Sequence, residues 1–420
     1  MDKKMRIIHV PRRFVTDEWG GSETFIAETS YRLEKKGYQM EIFTSKALDT
    51  TGFELYRGIP IRRFSYSYPY IGLSKKSRAM LDKKAGNLFS FSLMHALQKT
   101  KDVDVIHLDT GKRLGGIVRY CALKKHIPYV ISLHGGNLAV PKEEQETWTE
   151  PTKGTLEWGK LLGLWVGSRR VLNDAAAIIC VGKDEYEAMS KKFPDKQVEY
   201  LPNGVDIDRF AYGNGPSFRS LHGIGKDRFV FLTVARLDVQ KNQLGLVRQL
   251  PSMVKKIPNA HLVFLGHITS KEYVATLTSE AKALGVEDRI TLIGGIPYSS
   301  TELVDAYHSA DCFVLPSLHE PFGMVVLEAW ASEKPVAVSQ RGGLTSLVSE
   351  GKDGMFFDPE APEDNASSIS SVLGNLAANP ELRKKLGEEG LKTAKESYSW
   401  DSITSRLETI YRSINENSVS

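Results

Sequence analysis

The chain has few of the features that mark secreted and membrane-spanning proteins. Its 420 residues include three cysteines, Cys121, Cys180 and Cys312, each within an apolar stretch and none at metal-ligand spacing. We therefore expect buried, reduced thiols, as in a cytosolic protein, rather than disulfides or a metal site. No apolar run is long enough to cross a bilayer. The apolar run near residue 1 is too short for a secretory signal, so a cytoplasmic location is expected.

Several nucleotide-binding and metal-binding signatures are also missing. The chain has no Gly-x-Gly-x-x-Gly fingerprint and no Walker loop, which argues against NAD-dependent enzymes and P-loop ATPases. Two Asp-x-Asp strings, Asp102–Asp104 and Asp206–Asp208, do not follow a strand as a metal–diphosphate site requires. We interpret both as chance matches and predict no metal site.

The net charge is only +4, but positive charge is concentrated between residues 55 and 101. That segment has ten basic residues, one acidic residue (Asp82) and seven tyrosines and phenylalanines. Such a composition suits the headgroups of an anionic membrane or an anionic acceptor such as a lipid-linked pyrophosphate. The alternative is a solvated basic helix beside an ordinary loop. No nucleic-acid-binding module is present, so nucleic acid is not expected as a partner.

Both halves of the chain alternate short apolar runs with amphipathic stretches. This alternation predicts an α/β protein with two doubly wound parallel sheets, and the length allows two domains. The pattern breaks near Pro202 to Phe210, which places the domains at 1–205 and 206–396. The stretch 397–414 reads as a helix.

The candidate site residues come shortly after several of the predicted strands. His134 follows the apolar run VISL, Arg236 follows FLTVA, Glu320 follows CFVLPS, and Gly342 follows PVAVSQR. Ligands of doubly wound sheets bind outside the carboxyl ends of the strands. The positions of these residues therefore support a cleft between two facing domains.

The segment Leu315–Leu344 combines a strand end, a Pro-Phe-Gly turn and a helix predicted over Met324–Ala331. Glu320 and Glu328 are separated by seven residues across that turn. The start of the helix directs free amides and its positive dipole end at the same place, which suits phosphate. The carboxylates suit sugar hydroxyls. Phosphate, sugar and ribose together indicate a nucleotide sugar.

These residues resemble those of the retaining glycosyltransferases with the GT-B fold, of the "glycosyltransferases group 1" type and family 4-like. The resemblance includes the Glu-x7-Glu element and four further segments in the family's order. These are DEWGGSETF (17–25), VISLHGG (130–136), LPNGVD (201–206) and VARLDVQKN (234–242). It implies two facing Rossmann-like domains with an interdomain cleft, and a C-terminal helix that packs back on the first domain.

The roles of individual residues follow from their chemistry and from this resemblance. Arg236 and Lys241 would stabilise the departing diphosphate, since cations must do so where no metal acts. From its chemistry Glu320 could be a general base or a ligand of sugar hydroxyls. The resemblance implies that Glu320 contacts the donor sugar and that Glu328 contacts the ribose. The donor-contacting backbone amides would be those of Gly20, Gly21, Phe322, Gly323, Met324 and Val325. His134 would contact the donor sugar or position the acceptor. The alternatives are a surface pair for Arg236 and Lys241, a tight turn at Gly20-Gly21, and a structural histidine.

The expected activity is transfer of a sugar from a nucleoside diphosphate sugar to an acceptor hydroxyl with retention, without a metal or other cofactor. The acceptor would be a glycan or lipid-linked glycan in polysaccharide, lipopolysaccharide or glycolipid assembly. Residues 55–101 would contact the inner face of an anionic membrane peripherally. Two other hypotheses stay open: a non-catalytic nucleotide-sugar-binding partner and a nucleotide-sugar epimerase of the same fold.

Overall fold

The computed structural model describes residues 4–16, 20–83, 86–133 and 150–419, and the chain divides into two compact units. Unit 1 consists of Met1–Asn203 with Ile403–Ser420, and unit 2 consists of Gly204–Ser402. The sequence pattern placed the change of domain at 205/206. Among the described residues, no helix combines the length and the apolar character that a membrane span needs.

The strands are short and mostly buried, as expected for parallel sheets covered on both faces. They are β1 (Arg6–Val10), β2 (Gln39–Ser45), β3 (Phe53–Tyr56), β4 (Ile59–Phe64), β5 (Tyr70–Ile71), β6 (Val105–Leu108), β7 (Tyr129–Leu133), β8 (Leu156–Glu157), β9 (Ala177–Cys180), β10 (Gln197–Tyr200), β11 (Phe229–Val234), β12 (Ala260–Leu265), β13 (Ile290–Ile293), β14 (Cys312–Leu315), β15 (Val336–Ser339) and β16 (Met355–Phe357).

Helices alternate with the strands, and side-chain caps mark the start of several of them. Ser90, Ser270 and Ser300 each accept a hydrogen bond from a backbone amide in the first turn. The helices are α1 (Gly21–Lys35), α2 (Lys75–Lys83), α3 (Phe91–Lys99), α4 (Lys112–Lys125), α5 (Lys160–Trp165), α6 (Val171–Asp174), α7 (Lys183–Lys192), α8 (Ile207–Phe210), α9 (Gly215–Leu221), α10 (Gln243–Lys256), α11 (Lys271–Ala283), α12 (Thr301–Ser309), α13 (Met324–Ala331), α14 (Leu344–Leu347), α15 (Ile369–Ala378), α16 (Pro380–Thr393) and α17 (Trp400–Val419).

Each unit is organised around one large sheet. Within the described residues, the large sheet of unit 1 has eight strands in the order β10-β9-β7-β6-β1-β2-β4-β3, parallel except for the β3–β4 pair, and β5 and β8 form a separate antiparallel pair. Unit 2 has six parallel strands in the order β13-β12-β11-β14-β15-β16. In unit 2 the strand order reverses between β11 and β14, and in unit 1 it reverses between β6 and β1. These neighbouring strand ends are where doubly wound sheets bind ligands.

The cores are built from the strands and the helices that cover them. All three cysteines are buried and free, which confirms the expectation from the sequence. Burial raises the pKa of Cys121 to about 11 and that of Cys180 to about 12, since the apolar surroundings disfavour the thiolate.

A buried polar network connects the unit 1 sheet to α17. The Tyr411 hydroxyl lies 2.5 Å from Nδ1 of His107 and 3.4 Å from Nε2 of His9. Nδ1 of His9 lies 3.0 Å from Oδ2 of Asp109, and Ser132 Oγ lies 2.6 Å from Nε2 of His107. Polar groups in a protein interior are tolerated where they are hydrogen-bonded, as these are. The network therefore fixes α17 on unit 1.

The same network contains a three-residue group that could hold a metal ion. The ligand atoms of His9, His107 and Asp109 lie within 4.8 Å of one another. Each of the three side chains is engaged by protein groups in the network, so the hydrogen bonds give them a structural role.

The basic segment 55–101 does not form one continuous surface. Arg63 is buried and pairs with Asp49 and Glu54. The hydroxyls of Tyr66 and Tyr68 donate to Asp82 at 2.6 and 2.9 Å. The largest group of exposed cations lies on α2, at Lys75, Lys76, Arg78 and Lys83, and the other exposed cations of the described segment are Arg57, Arg62, Lys99 and Lys101. Part of the segment thus serves the fold of unit 1, and α2 carries four of the cations that face solvent.

The network around Tyr411 leads to a stability prediction. Tyr411→Phe removes a hydroxyl shared by two buried imidazoles, and we expect the free energy of unfolding of unit 1 to fall by about 1–3 kcal/mol. Urea unfolding followed by circular dichroism measures it. Tyr120→Phe is the matched control, because the Tyr120 hydroxyl has no hydrogen bond in the described part of unit 1. Equal losses in the two variants would show that the network adds nothing.

Candidate functional site

The candidate site lies in unit 2, where β11 and β14 run side by side. The two strands pair in parallel, and Thr233 Oγ1 donates to the Val314 carbonyl at 2.8 Å. The loops that follow these strands carry Arg236 and Lys241 on one side and Glu320 on the other. The parallel pairing brings together residues that are about 80 positions apart in sequence.

Backbone and side-chain hydrogen bonds join the two loops directly. The Leu318 amide donates to the Gln240 carbonyl at 2.8 Å. Gln240 Nε2 donates to the His319 carbonyl at 3.0 Å, and Asn242 Nδ2 donates to the Pro316 carbonyl at 3.2 Å. These contacts hold both loops in one arrangement before any ligand binds.

Lys241 and Glu320 form an ion pair at this junction. The Lys241 Nζ lies 2.7 Å from Glu320 Oε2, and the two side chains are only 12% and 11% exposed. The Ser317 hydroxyl donates to the same oxygen at 3.4 Å. Asp238 caps the short turn that ends at Lys241 by accepting its amide at 3.1 Å. A largely desolvated pair needs such support, because removing one partner leaves a buried charge.

Arg236 lies on the same loop, but its side chain extends toward solvent. It is 53% exposed, and its guanidinium lies 3.3 Å from both Asp238 Oδ2 and Gln240 Oε1. The structure therefore joins Lys241 and Glu320, while Arg236 retains donor capacity for an incoming anion.

The Pro-Phe-Gly turn positions the amino end of α13. Gly323 has φ +98°, a left-handed conformation that favours glycine, and it is the residue directly before the helix. Phe322 is buried, and its ring centroid lies 6.3 Å from that of Tyr398. The amides of Met324 and Val325 have no backbone acceptor among the described residues, as at the start of any helix. Two donors and a helix dipole are thus available to an anion.

A second glycine pair packs on this turn. A Cβ on Gly342 would lie 2.5 Å from the Glu320 carbonyl oxygen, and one on Gly343 would lie 2.2 Å from that of Pro321. The Gly343 amide donates to the Glu320 carbonyl at 2.7 Å. The loop after β15 therefore supports the backbone of Glu320 from behind, and it can do so only without side chains.

Glu328 lies one helical turn into α13 and is buried against α12. The Tyr307 hydroxyl donates to Glu328 Oε2 at 2.5 Å. Burial raises the pKa of Glu328 to about 7, although the Tyr307 hydrogen bond and Arg209 oppose this shift. Burial and the nearby Glu328 also hold the pKa of Tyr307 well above its usual range. Tyr307 therefore acts as a positioning residue for this carboxyl.

The remaining predicted site residues belong to unit 1. Gly20 precedes α1, and its carbonyl accepts hydrogen bonds from the amide and the hydroxyl of Thr24, both at 3.0 Å. Gly21 is the first residue of α1. His134 lies outside the described residues, so its predicted contact with sugar or acceptor stays a prediction.

Sequence reasoning did not identify Tyr307, Gln240 or Asp238. Tyr307 lies on an ordinary amphipathic helix. The one indication of a role in the sequence is that a buried tyrosine hydroxyl needs a hydrogen-bond partner. Gln240 and Asp238 lie between Arg236 and Lys241, so the sequence indicates that they are near the site. It does not indicate which groups they hydrogen-bond.

Two family models match the chain, and together they span most of its length. The model of "Glycosyltransferase Family 4" matches residues 19–209, and that of "Glycosyl transferases group 1" matches residues 216–393. The chain belongs to the group 1, family 4-like glycosyltransferases.

Curated relatives agree with this glycosyltransferase assignment. A GDP-mannose-dependent alpha-(1-6)-phosphatidylinositol monomannoside mannosyltransferase of Mycolicibacterium smegmatis is 31% identical over 60% of this chain. The match spans 65% of that relative, less than two thirds of its length. A D-inositol 3-phosphate glycosyltransferase of Corynebacterium glutamicum is 25% identical over 94% of this chain and 92% of its own.

A solved structure supports the fold of this glycosyltransferase. The Anabaena protein HepE in complex with UDP matches with a TM-score of 0.71 and 17% identity, over 97% of this chain and 100% of that one. At this identity the likeness shows the fold, which is GT-B with two Rossmann-like parallel-sheet units. The fold predicted from the sequence is confirmed.

The support of the Glu320 backbone by glycine can be tested by substitution. A left-handed backbone conformation by itself costs an alanine about 1–2 kcal/mol. Gly342→Ala has φ +53° and also places a Cβ against the Glu320 carbonyl, so we expect it to destabilise unit 2 by more than that amount. Gly351→Ala is the control, since it has φ +70° and no atom within 4 Å of the new Cβ. Urea unfolding of both variants separates the clash from the strain. If they lose the same stability, the contact with Glu320 is unimportant.

The raised pKa of Glu328 predicts how stability depends on pH. The folded state binds the proton of the Glu328 carboxyl more tightly than the unfolded state does. The resulting stabilisation of the folded state is full below about pH 4.5 and is lost as pH rises through about 7. Between pH 5 and 8 the free energy of unfolding of the wild type should fall relative to Glu328→Gln by about 3 kcal/mol. Urea unfolding at both pH values measures this difference. Glu280→Gln, on the surface of α11, is the control. If the unfolding free energies of the wild type and Glu328→Gln differ by the same amount at pH 5 and pH 8, the raised pKa of Glu328 is contradicted.

Proposed function

We propose that this protein is a retaining glycosyltransferase that moves a sugar from a nucleoside diphosphate sugar to an acceptor hydroxyl. The observation that carries the proposal is the Lys241–Glu320 pair, held at 2.7 Å at the point where the strand order of unit 2 reverses. This cation and carboxylate lie on the loops beside the start of α13. Cations, free amides and carboxylates in one place match a diphosphate linked to a sugar.

The diphosphate would bind at the amino end of α13. The amides of Met324 and Val325 would donate to its oxygens, and Lys241 and Arg236 would supply positive charge. Breaking the sugar–phosphate bond increases negative charge on the departing phosphate, and fixed cations stabilise that charge without reorganising. Lys241 is held in place by Glu320 and by the Asp238 cap. We therefore propose that no metal is required.

The two carboxylates would hold the sugar parts of the donor. Glu320 would accept hydrogen bonds from hydroxyls of the transferred sugar, and its backbone is fixed by Gly343. Glu328 would bind the ribose through Oε1, because Tyr307 engages Oε2. In such a site the acceptor hydroxyl attacks on the face from which the diphosphate leaves, and the phosphate accepts its proton. Retention of configuration follows from that geometry.

The acceptor and the location of the enzyme are part of the same proposal. Two relatives are named for acceptors that carry inositol phosphate or phosphatidylinositol. We propose a glycan or lipid-linked glycan as acceptor, and a cytoplasmic enzyme that contacts the anionic inner face of a membrane through the exposed cations of α2. A non-catalytic nucleotide-sugar-binding protein is the second candidate, and it would bind the same donors without turnover.

Donor binding and hydrolysis test the proposal together. Thermal shift against UDP, GDP, ADP and their common sugar conjugates should show stabilisation by one base, about 2.7 kcal/mol at 100 times the dissociation constant, with or without EDTA. Lys241→Ala should lower the rate of donor hydrolysis by about 100-fold or more, since it removes charge from the leaving group.

Arg248→Ala is the matched control for Lys241→Ala. Arg248 forms an ion pair with Glu280 at 2.9 Å on the surface of unit 2, outside the candidate site. Its loss should leave hydrolysis unchanged. Donor binding without any hydrolysis or transfer would favour the non-catalytic protein, and loss of binding on EDTA treatment would contradict the metal-free site.

A further inference from the structure

Unit 1 exposes a group of large apolar side chains that the proposed transfer reaction does not use. It consists of Ile71, Leu156, Trp158, Leu161, Leu164 and Trp165, each between 46% and 78% exposed. We call this group the tryptophan–leucine patch. Single exposed leucines are ordinary, but six large exposed apolar side chains on segments joined by backbone hydrogen bonds mark a surface that contacts something apolar.

The patch is built on ordered elements. Ile71 and Leu156 are direct partners in the antiparallel β5–β8 pair. The amides of Trp158 and Gly159 both donate to the Pro69 carbonyl at 3.2 Å. The two halves of the patch, from residues near 70 and near 160, are therefore joined by backbone hydrogen bonds.

Helix α5 presents its apolar residues to solvent by its spacing. Leu161, Leu164 and Trp165 lie three and four residues apart, on one helical face. The opposite side packs on unit 1: Gly163 is buried, and Leu162 contacts the hydrophobic core. A soluble helix usually covers its outer face with polar residues. Both faces of α5 carry apolar residues, so its exposed face favours contact with an apolar environment.

The segments that carry the patch, together with α2, have an excess of positive charge. Residues 70–83 and 150–170 contain eight lysines and arginines against three carboxylates, a net charge of +5. Asp82 accepts hydrogen bonds from two tyrosines, and Glu157 is paired with Arg113. Two of the three carboxylates are thus engaged by unit 1. The exposed lysines of α2, at 75, 76 and 83, and Lys160 at the start of α5 remain facing solvent.

We infer that the tryptophan–leucine patch inserts into the surface of an anionic lipid bilayer. Leucine side chains enter the acyl boundary, tryptophan suits the headgroup level, and lysines attract anionic lipids. A second copy of the chain is disfavoured as the occupant, because a two-fold interface would bring the same cations together. The inference rests on the peripheral contact proposed above and adds the apolar element that anchors it.

Sedimentation with vesicles tests this inference on the full chain. Phosphatidylcholine vesicles with 30% phosphatidylglycerol should bind the wild type at least tenfold more tightly than phosphatidylcholine alone. Leu161→Ser with Leu164→Ser should weaken binding by about tenfold or more, since less apolar area is buried. Leu221→Ser with Leu284→Ser, at exposed leucines of unit 2, should bind as the wild type does.

A second measurement uses the tryptophans, and substitution by phenylalanine keeps an aromatic ring at position 165, where the Trp165 ring lies 6.3 Å from that of Phe89 and 5.7 Å from that of Tyr120. Brominated lipids in the same vesicles should quench the wild-type fluorescence, and Trp158→Phe with Trp165→Phe should lose most of that quenching. Binding and quenching that do not change in the patch variants would overturn the inference. A wild-type dimer that the leucine variant converts to a monomer, without vesicle binding, would identify a second copy as the occupant.

The charge and the transfer reaction are tested separately. Lys75→Glu with Lys76→Glu should abolish binding to anionic vesicles. If it does so while the leucine variant binds normally, the membrane contact holds and the role of the patch is wrong. Donor hydrolysis in vesicle-free buffer should be unchanged in every patch variant. Absence of both hydrolysis and transfer in the wild type would contradict the glycosyltransferase proposal and leave the vesicle result standing.

Discussion

The candidate site depends on one constraint: two loops, about 80 residues apart in sequence, leave neighbouring parallel strands at the same edge and are hydrogen-bonded to each other. The Leu318–Gln240 backbone contact and the two side-chain amides of Gln240 and Asn242 fix this junction. Once it is fixed, the lysine of one loop meets the glutamate of the other at 2.7 Å. A site that must stabilise developing charge gains from this order, because fixed dipoles and charges need not reorganise during the reaction.

Support for the site comes from residues that are not proposed to contact the donor or the acceptor. Gly342 and Gly343 allow the loop after β15 to press on the backbone of Glu320 and Pro321. Tyr307, on a helix before β14, holds one oxygen of Glu328. The carboxyl is thereby aligned in a buried place where its charged form is disfavoured. The stability of unit 2 and the chemistry of its site are thus linked through the same side chain.

Unit 1 uses buried polar groups differently. His9, His107 and Asp109 lie at the carboxyl ends of β1 and β6, where a doubly wound sheet offers a ligand site. In this chain they bind one another and Tyr411 of the C-terminal helix. The polarity of that strand edge is therefore used for anchoring α17. The surface of the same unit keeps an apolar patch on segments that, together with α2, have an excess of positive charge, which a structure folded for water alone would not retain.

The sequence by itself determined the fold class, because strands buried on both faces read as apolar runs and the helices between them read as amphipathic. It also determined which residues end the strands of unit 2, and so named Arg236, Lys241, Glu320 and the turn at Gly323. Only the tertiary structure decided their partners. The contact of Lys241 with Glu320, the hydrogen bond of Tyr307 to Glu328 and the fit of Gly342 against Glu320 join residues far apart in sequence or on different elements, and no local pattern specifies them. The exposure of Leu161 and Leu164 was likewise hidden, since an apolar helix face reads as core until the packing of its neighbours is known.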